Sequence, residues 1–284
     1  NMNHNLTPLI SVQELIVLKQ TTPIILIDAS AGADSKEKYN QQHLKGALYV
    51  DLNTDLTDIK EDASKGGRHP LPSTIEFGKL LAKLGITVSS HVIIYDDKNS
   101  SNAAARFWWM LKSIGHKKVQ VLNGGYQAAL KVGFEMSSKP EAPLIAEAYP
   151  ITTWKLPMAD MNEVDDVRLN KEYLIIDARD KIRYDGIKEP IDLIAGHIPG
   201  AINIPFSTNL DADGFYLTPD VLKEKYLNAL ENKDKEHVIV HCGSGVTACH
   251  TLLAMAYAGL EIPKLYVGSW SEWSRNAKPI GKNL

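Results

Sequence analysis

A cysteine on a glycine-rich loop is the residue best suited to covalent chemistry in this chain. It sits in His241-Cys242-Gly243-Ser244-Gly245-Val246-Thr247-Ala248. The β-branched run Val238-Ile239-Val240 leads into it and reads as a buried strand. Residues 246–260 read as a helix. Cys242 therefore stands on a tight turn between a strand end and a helix N-terminus. Successive N–H groups of Gly243, Ser244, Gly245, Val246 and Thr247 can converge there on one atom and form an anion nest. The helix dipole adds partial positive charge, and both effects favour a negatively charged sulfur. Such a cysteine can attack, carry a charged adduct and release it. The alternative is a small core cysteine that ends a strand. Cys249, mid-helix among Ala248, Leu252 and Leu253, reads as packing. Thr247 reads equally as a catalytic hydroxyl or as a helix cap.

An internal repeat supplies the elements that position this loop. Ile25-Leu26-Ile27-Asp28-Ala29 matches Leu174-Ile175-Ile176-Asp177-Ala178 in type. His43-Leu44-Lys45-Gly46-Ala47 matches His197-Ile198-Pro199-Gly200-Ala201. Ile93-Ile94-Tyr95-Asp96 matches Ile239-Val240-His241-Cys242, and Asn123-Gly124-Gly125-Tyr126 matches Val267-Gly268-Ser269-Trp270. Nearly constant spacing between the members of each pair marks a duplicated domain. Asp96 stands where the second copy has Cys242, and a carboxylate lacks the thiolate's nucleophilic sulfur. Strands are predicted near 24–28, 47–51, 91–95 and 119–122, with helices over 74–84, 102–114 and 125–132. The second copy gives strands near 173–177, 201–204, 237–241 and 264–267, with helices over 218–230, 246–259 and 270–275. Short apolar strands alternating with helices imply an α/β fold. Each copy is then a mostly parallel sheet with helices on both faces. Ligands of such sheets bind at the carboxyl ends of the strands, where Cys242 lies. Pro140, Pro143, Pro150 and Pro157 exclude a helix between the copies. The expected domains are residues 8–138 and 158–284, joined by an extended linker over 139–157.

Bulk properties exclude several classes. The 284 residues carry 31 Lys and Arg against 34 Asp and Glu, a formal net charge of -3. That argues against a nucleic-acid or membrane-surface partner. No apolar run reaches the ~20 residues needed to span a bilayer. Asn1–Asn5 is polar and lacks the apolar core of a secretory signal. Two cysteines, one on a reactive-looking loop, point to a reducing, cytoplasmic setting rather than a disulfide framework.

The duplicated plan, Gly196-His197-Ile198-Pro199-Gly200-Ala201, the Cys242 loop and Gly268-Ser269-Trp270-Ser271-Glu272-Trp273 together resemble the tandem-domain rhodanese-type sulfurtransferases. The resemblance runs from about Leu9 to Lys278. It implies two rhodanese-like domains, the first non-catalytic. It implies that Cys242 takes sulfur from a small-molecule donor as a persulfide. The sulfur then passes to a thiophilic acceptor, cyanide or a thiol, or a thioredoxin-like protein. No metal or cofactor is implied. The loop Cys-Gly-Ser-Gly-Val-Thr is similar to the mercaptopyruvate type, whereas the thiosulfate type carries basic loop residues; thiosulfate:cyanide transfer is the alternative. A cysteine-dependent phosphatase would need an arginine where this loop has Ala248. A non-catalytic regulatory module would have no use for an intact Cys242 loop.

The resemblance also implies that Arg183, followed by Tyr184, binds the donor's anionic group, while Arg179 reads as a structural ion-pair partner. A second arginine of the mercaptopyruvate enzymes is absent, because Glu189-Pro190 is followed by Ile191-Asp192. The first copy is expected to bring the Gly66-Gly67-Arg68-His69 loop to a cleft between domains, with His69 a substrate contact or general acid and Arg68 either a donor-anion ligand or a solvated loop charge. A proton relay would join His69 to Ser244 and an upstream carboxylate, but that position is Asn53. His43 and His197 are expected to fix backbone turns. Trp270 and Trp273 are expected to pack the last helix, and Trp108, Trp109 and Arg106 to lie in the core and at a domain interface.

Overall fold

The structure is a computed structural model that describes residues 6–151 and 153–284. Asn1–Asn5, the polar start, and Thr152 in the linker lie outside the described residues. The chain forms two compact units. One comprises the chain up to Asp58, Pro72–Lys155 and Asp213–Phe215. The other comprises Ile59–Leu71, Leu156–Ala212 and Tyr216–Leu284. The segment carrying Arg68 and His69, which lies within the first repeat in sequence, thus belongs to the second unit.

Each unit holds a five-stranded sheet in which every pairing is parallel. In the first the spatial order is Leu9–Ile10, Val119–Leu122, Val92–Tyr95, Ile25–Ser30, Leu48–Asp51. In the second it is Met158–Ala159, Lys264–Tyr266, Val238–His241, Leu174–Asp177, Ile202–Asn203. The two orders are the same, so the repeat read in the sequence is a repeat of topology. The central strands are apolar runs because both faces are covered. Leu26, Ile93 and Tyr95 point to the face packed by Val12, Leu15, Ala128 and Ala129. In the second unit Ile175, Ile239 and Tyr266 pack with Val164, Trp270 and Trp273. The helices Ala103–Ser113 and Thr247–Tyr257 cover their sheets as well, the latter against Val238–His241 and the helix Pro219–Leu230.

Both copies build the same turn from the histidine motif. The His43 ring stacks on Tyr39 at 3.9 Å between centroids, and its Nδ1 lies 2.7 Å from the Tyr39 carbonyl. His197 stacks on Tyr184 at 3.9 Å, with Nδ1 2.8 Å from the Tyr184 carbonyl. Both histidines fix backbone, as the sequence suggested. Trp108, Trp109 and Arg106 are buried in the first unit. Trp109 stacks near Trp154 of the proline-rich segment, at 6.2 Å.

His250 fastens the helix that follows the cysteine loop. Its Nδ1 meets the Tyr216 hydroxyl at 2.8 Å, and its Nε2 lies 3.2 Å from the Phe206 carbonyl. Burial pushes its pKa down to about 3, against the weaker opposing effect of the Phe206 carbonyl. A histidine held neutral in this way contributes stability that is complete above its ordinary value of 6.5. That stability is lost as pH falls from there toward the folded value.

The urea midpoint should fall as pH drops from 6.5 to about 4, and His250→Gln should flatten that slope relative to wild type. Gly200 has φ +102°, and a Cβ there would lie 1.9 Å from the Arg168 carbonyl oxygen. Its counterpart Gly46 has φ +90° and open space around it. Gly46→Ala should therefore cost about 1 kcal/mol and Gly200→Ala clearly more, as read from urea unfolding of the two variants.

Candidate functional site

Cys242 follows the central strand of the second sheet directly, with its residue only 1% exposed. The N–H of Gly245 donates to Cys242 Sγ at 3.1 Å. The flanking chain pins the rest of the loop. The Cys242 N–H donates to Ser269 Oγ at 3.1 Å, and that hydroxyl donates to the Tyr266 carbonyl at 2.8 Å. Trp270 N–H donates to the Cys242 carbonyl at 3.0 Å, and Ser271 N–H to the Gly243 carbonyl at 2.8 Å. Gly245 has φ +81°, and a Cβ there would meet the Val267 carbonyl oxygen at 2.6 Å. Glycine is thus required both by backbone conformation and by space. Val246 takes the cap position of the helix Thr247–Tyr257, and no side chain caps it. Thr247 is the first helical residue, so the reading of its hydroxyl as that cap is not what the structure has. Cys249 is fully buried one turn on, its thiol 3.4 Å from the Gly245 carbonyl.

Two guanidiniums lie over the loop. The position a Cβ would take on Gly243 is 3.2 Å from Arg183 Nη2 and 3.2 Å from Arg68 Nη2. Sequence reasoning singled out Arg183 and Arg68 but expected one arginine to do most of the anion binding. The structure brings both together. What holds them was not foreseen. Arg183 Nε donates to both Glu189 oxygens, at 3.0 and 3.1 Å. Asp192 accepts Arg68 Nε at 2.9 Å and Arg275 Nη1 at 3.0 Å on Oδ1. Its Oδ2 accepts Arg183 Nη2 at 3.3 Å. Glu189 Oε2 also accepts the N–H groups of Ile191 and Asp192, closing the turn. Ile191 is 55% exposed on that turn. No local spacing announces these pairings, because Arg68, Asp192 and Arg275 come from distant parts of the sequence.

Beneath them, Arg179 grips Asp177, with Nη2 2.7 Å from Oδ2, and donates to the Gly196 carbonyl at 2.6 Å. Its guanidinium lies 4.7 Å from the Trp270 ring centroid. Burial alone would raise the Asp177 pKa, but Arg179, with help from His241, outweighs burial and holds it below the carboxylate range. Burial lowers the pKa of His241, the residue before the cysteine, and Arg179 adds to that while Asp177 opposes it.

His69 Nδ1 lies 2.7 Å from Ser244 Oγ. Its loop is fastened to the last helix. Gly66 N–H donates to Glu272 Oε2 at 2.7 Å, and Arg68 N–H to Ser271 Oγ at 3.1 Å. Asn53 sits in the helical turn Leu52–Asp55 of the first unit, its N–H on the Asp51 carboxylate. Trp270 and Trp273 are fully buried in the second core. Among the described residues no group of three or more His, Cys, Asp or Glu side chains is placed to hold a metal ion.

In the first unit the corresponding loop is filled by its own side chain. Asp96 accepts N–H groups from Lys98 at 2.8 Å and from Asn102 and Ala104 at 3.0 Å. Burial pushes its pKa up to about 6 against the pull of those donors. Tyr126 N–H donates to the Asp96 carbonyl at 3.0 Å, as Trp270 does to Cys242.

Two copies of one parallel-sheet plan, one ending in a nested cysteine and the other in a nested carboxylate, define a tandem rhodanese-like protein. Residues 11–131 and 160–276 each match the rhodanese-like domain, and the chain belongs to that family. It is 36% identical over 253 residues to a probable 3-mercaptopyruvate sulfurtransferase of Pseudomonas aeruginosa, covering 87% of this chain and 86% of that protein. It is 34% identical over 249 residues to thiosulfate sulfurtransferase of Rattus norvegicus, covering 86% and 82%. The solved 3-mercaptopyruvate sulfurtransferase from Leishmania major superposes with a TM-score of 0.83 at 29% identity, over 96% of this chain and 75% of that one.

Gly245→Ala should test the nest directly. The new Cβ must displace the loop and take the Gly245 N–H away from Sγ. Sulfur uptake from a donor should slow about 100-fold or more, the loss expected for one preorganised donor to a developing anion. Single-turnover mass measurement reads the rate. Uptake at the wild-type rate would show that this N–H does not matter.

Proposed function

We propose that the chain transfers sulfur from 3-mercaptopyruvate to a thiophilic acceptor through a persulfide on Cys242. Sulfurtransferase activity itself is what its relatives share by name. The Cys242 thiolate attacks the donor's sulfur. The S–S bond forms as the donor's C–S bond breaks, and the electron pair leaves with the three-carbon fragment. That fragment takes a proton and departs as pyruvate. Cyanide or a thiolate then attacks the outer sulfur, and Cys242 leaves as thiolate. No metal, redox cofactor or outside oxidant is needed to balance either step. The N–H groups of residues 243–247 hold the anionic sulfur in both states. Arg183 and Arg68 hold the donor carboxylate. His69, against Ser244, donates the proton to the departing carbon.

The observation that carries this reading is the conjunction of the Gly245 N–H on Cys242 Sγ with two guanidiniums over Gly243. A phosphatase reading fails on Ala248, which is fully buried where that chemistry would need an arginine. Thiosulfate as donor is the second reading, favoured by the rat relative. Against it, no basic side chain stands on the loop itself. The same proposal places the enzyme in the cytoplasm, with a thiol or thioredoxin-like protein as acceptor and no cofactor. It takes residues 8–138 as the non-catalytic domain, 139–157 as linker and 158–284 as the catalytic domain. Among the described residues no helix is long and apolar enough to cross a membrane.

Incubation with 3-mercaptopyruvate followed by intact-mass measurement should show one added sulfur. Cys242→Ser should take up none and turn over nothing, whereas Cys249→Ser should do both. The ratio of kcat/KM values in one buffer should favour 3-mercaptopyruvate over thiosulfate. Sulfur loading in Cys242→Ser would overturn the nucleophile, and a ratio favouring thiosulfate would overturn the donor.

A further inference from the structure

Four guanidiniums and three carboxylates form one connected network beside the Cys242 loop. Arg179 pairs with Asp177 and Glu189, Arg183 with Glu189 and Asp192, and Arg68 and Arg275 with Asp192. The network therefore carries one positive charge in excess. Asp192 is its hub. Its side chain is fully buried and binds three arginines whose own side chains stay 12–26% exposed. Both Asp192 oxygens face guanidinium N–H groups, so the carboxylate sets how far apart Arg68 and Arg183 stand over Gly243. It also cancels one of the charges they present. Glu272, on the last helix, accepts the Gly66 N–H and the Tyr266 hydroxyl.

We infer that Asp192, with Arg275 as its third guanidinium partner, is a specificity-determining pair that tunes the site to a monoanionic sulfur donor over a dianionic one. The inference rests on the proposed sulfurtransferase reading. The physical reason is that one excess charge neutralises a carboxylate donor such as 3-mercaptopyruvate. Thiosulfate brings two negative charges and would leave one uncompensated in a site of low dielectric. Arg275 also donates to the Ser271 carbonyl at 2.7 Å. It is thereby anchored to the helix that closes the cysteine loop. It supplies charge to the network from a position that no reading of the Glu-Pro-Ile-Asp turn would have found.

The test uses the full-length enzyme and two opposite changes of charge. Asp192→Asn raises the network's excess charge by one and should raise the thiosulfate to 3-mercaptopyruvate ratio of kcat/KM about tenfold. Arg275→Gln lowers it by one and should move the ratio about as far the other way, with the larger loss on thiosulfate. The double variant restores the excess charge and should return the ratio toward wild type. A purely architectural role would depress both donors together and leave the ratio where it was. Ratios that stay fixed, or that move in the same direction in both single variants, would overturn the inference. Intact-mass measurement on wild type runs alongside. Failure of wild type to load sulfur on Cys242 would sink the sulfurtransferase reading itself, whereas loading with charge-indifferent ratios would sink only the role of Asp192 and Arg275.

Discussion

The second unit is organised around a sulfur atom held at the end of a buried strand. Charge in such a place is costly unless donors already point at it. The Gly245 N–H reaches Cys242 Sγ at 3.1 Å only because the chain turns through a left-handed glycine. That turn holds only because residues 269–271 tie down Cys242 and Gly243 from the other side. The neighbouring strand, the last helix and the loop at residues 66–69 are thus parts of one brace. Ser269 shows what the brace costs. It adopts φ 56°, uncommon for a residue with a side chain, while its hydroxyl links the Cys242 N–H to the Tyr266 carbonyl.

The first unit shows that the nest belongs to the fold and its occupant to the sequence. The strand order, the histidine turn and the return bond to the strand-end carbonyl all recur there. Asp96 supplies the anion from its own side chain and uses three N–H groups to hold it. Gly125 matches Ser269, with φ +63° and an imagined Cβ only 2.6 Å from the Asp96 carbonyl oxygen. In a loop filled in this way those N–H groups are already taken.

Much of this was legible in the sequence, and the reason is locality. The central strands fell within one or two residues of their expected places, because a strand covered on both faces must be a continuous apolar run. The cysteine loop was legible because strand, glycines and helix follow each other directly. The edge strands Leu9–Ile10 and Met158–Ala159 were not read, since two residues carry no period. The helix Ser35–Gln41 was missed because only Ser35 and Tyr39 are buried in an otherwise polar segment. Asp192, Glu189 and Arg275 were missed as a charge network for a different reason. Their meaning lies in pairings across long stretches of chain, and an exposed-looking Arg or Asp in sequence gives no sign of its partner. The absent second arginine at Ile191 looked like a loss of positive charge; in the fold Arg68 lies over Gly243 and Arg275 pairs with Asp192.

Asp28 and Asp177 sharpen the contrast, since they occupy the same strand position in the two copies. Asp177 has Arg179 two residues on, and the pair keeps its carboxylate ionised despite complete burial. Asp28 has Ser30 at that place. Burial raises its pKa, and among the described residues the hydroxyls of Ser30 and Tyr95 answer its oxygens. Arg179 does more than neutralise one buried acid. Through Glu189 it connects to Arg183, and through Asp192 to Arg68 and Arg275. Guanidiniums this close would repel one another without the interleaved carboxylates. A copy that has serine in place of Arg179 lacks the foundation of that network. The guanidiniums over the second loop are therefore tied, through Glu189 and Asp192, to the same buried ion pair.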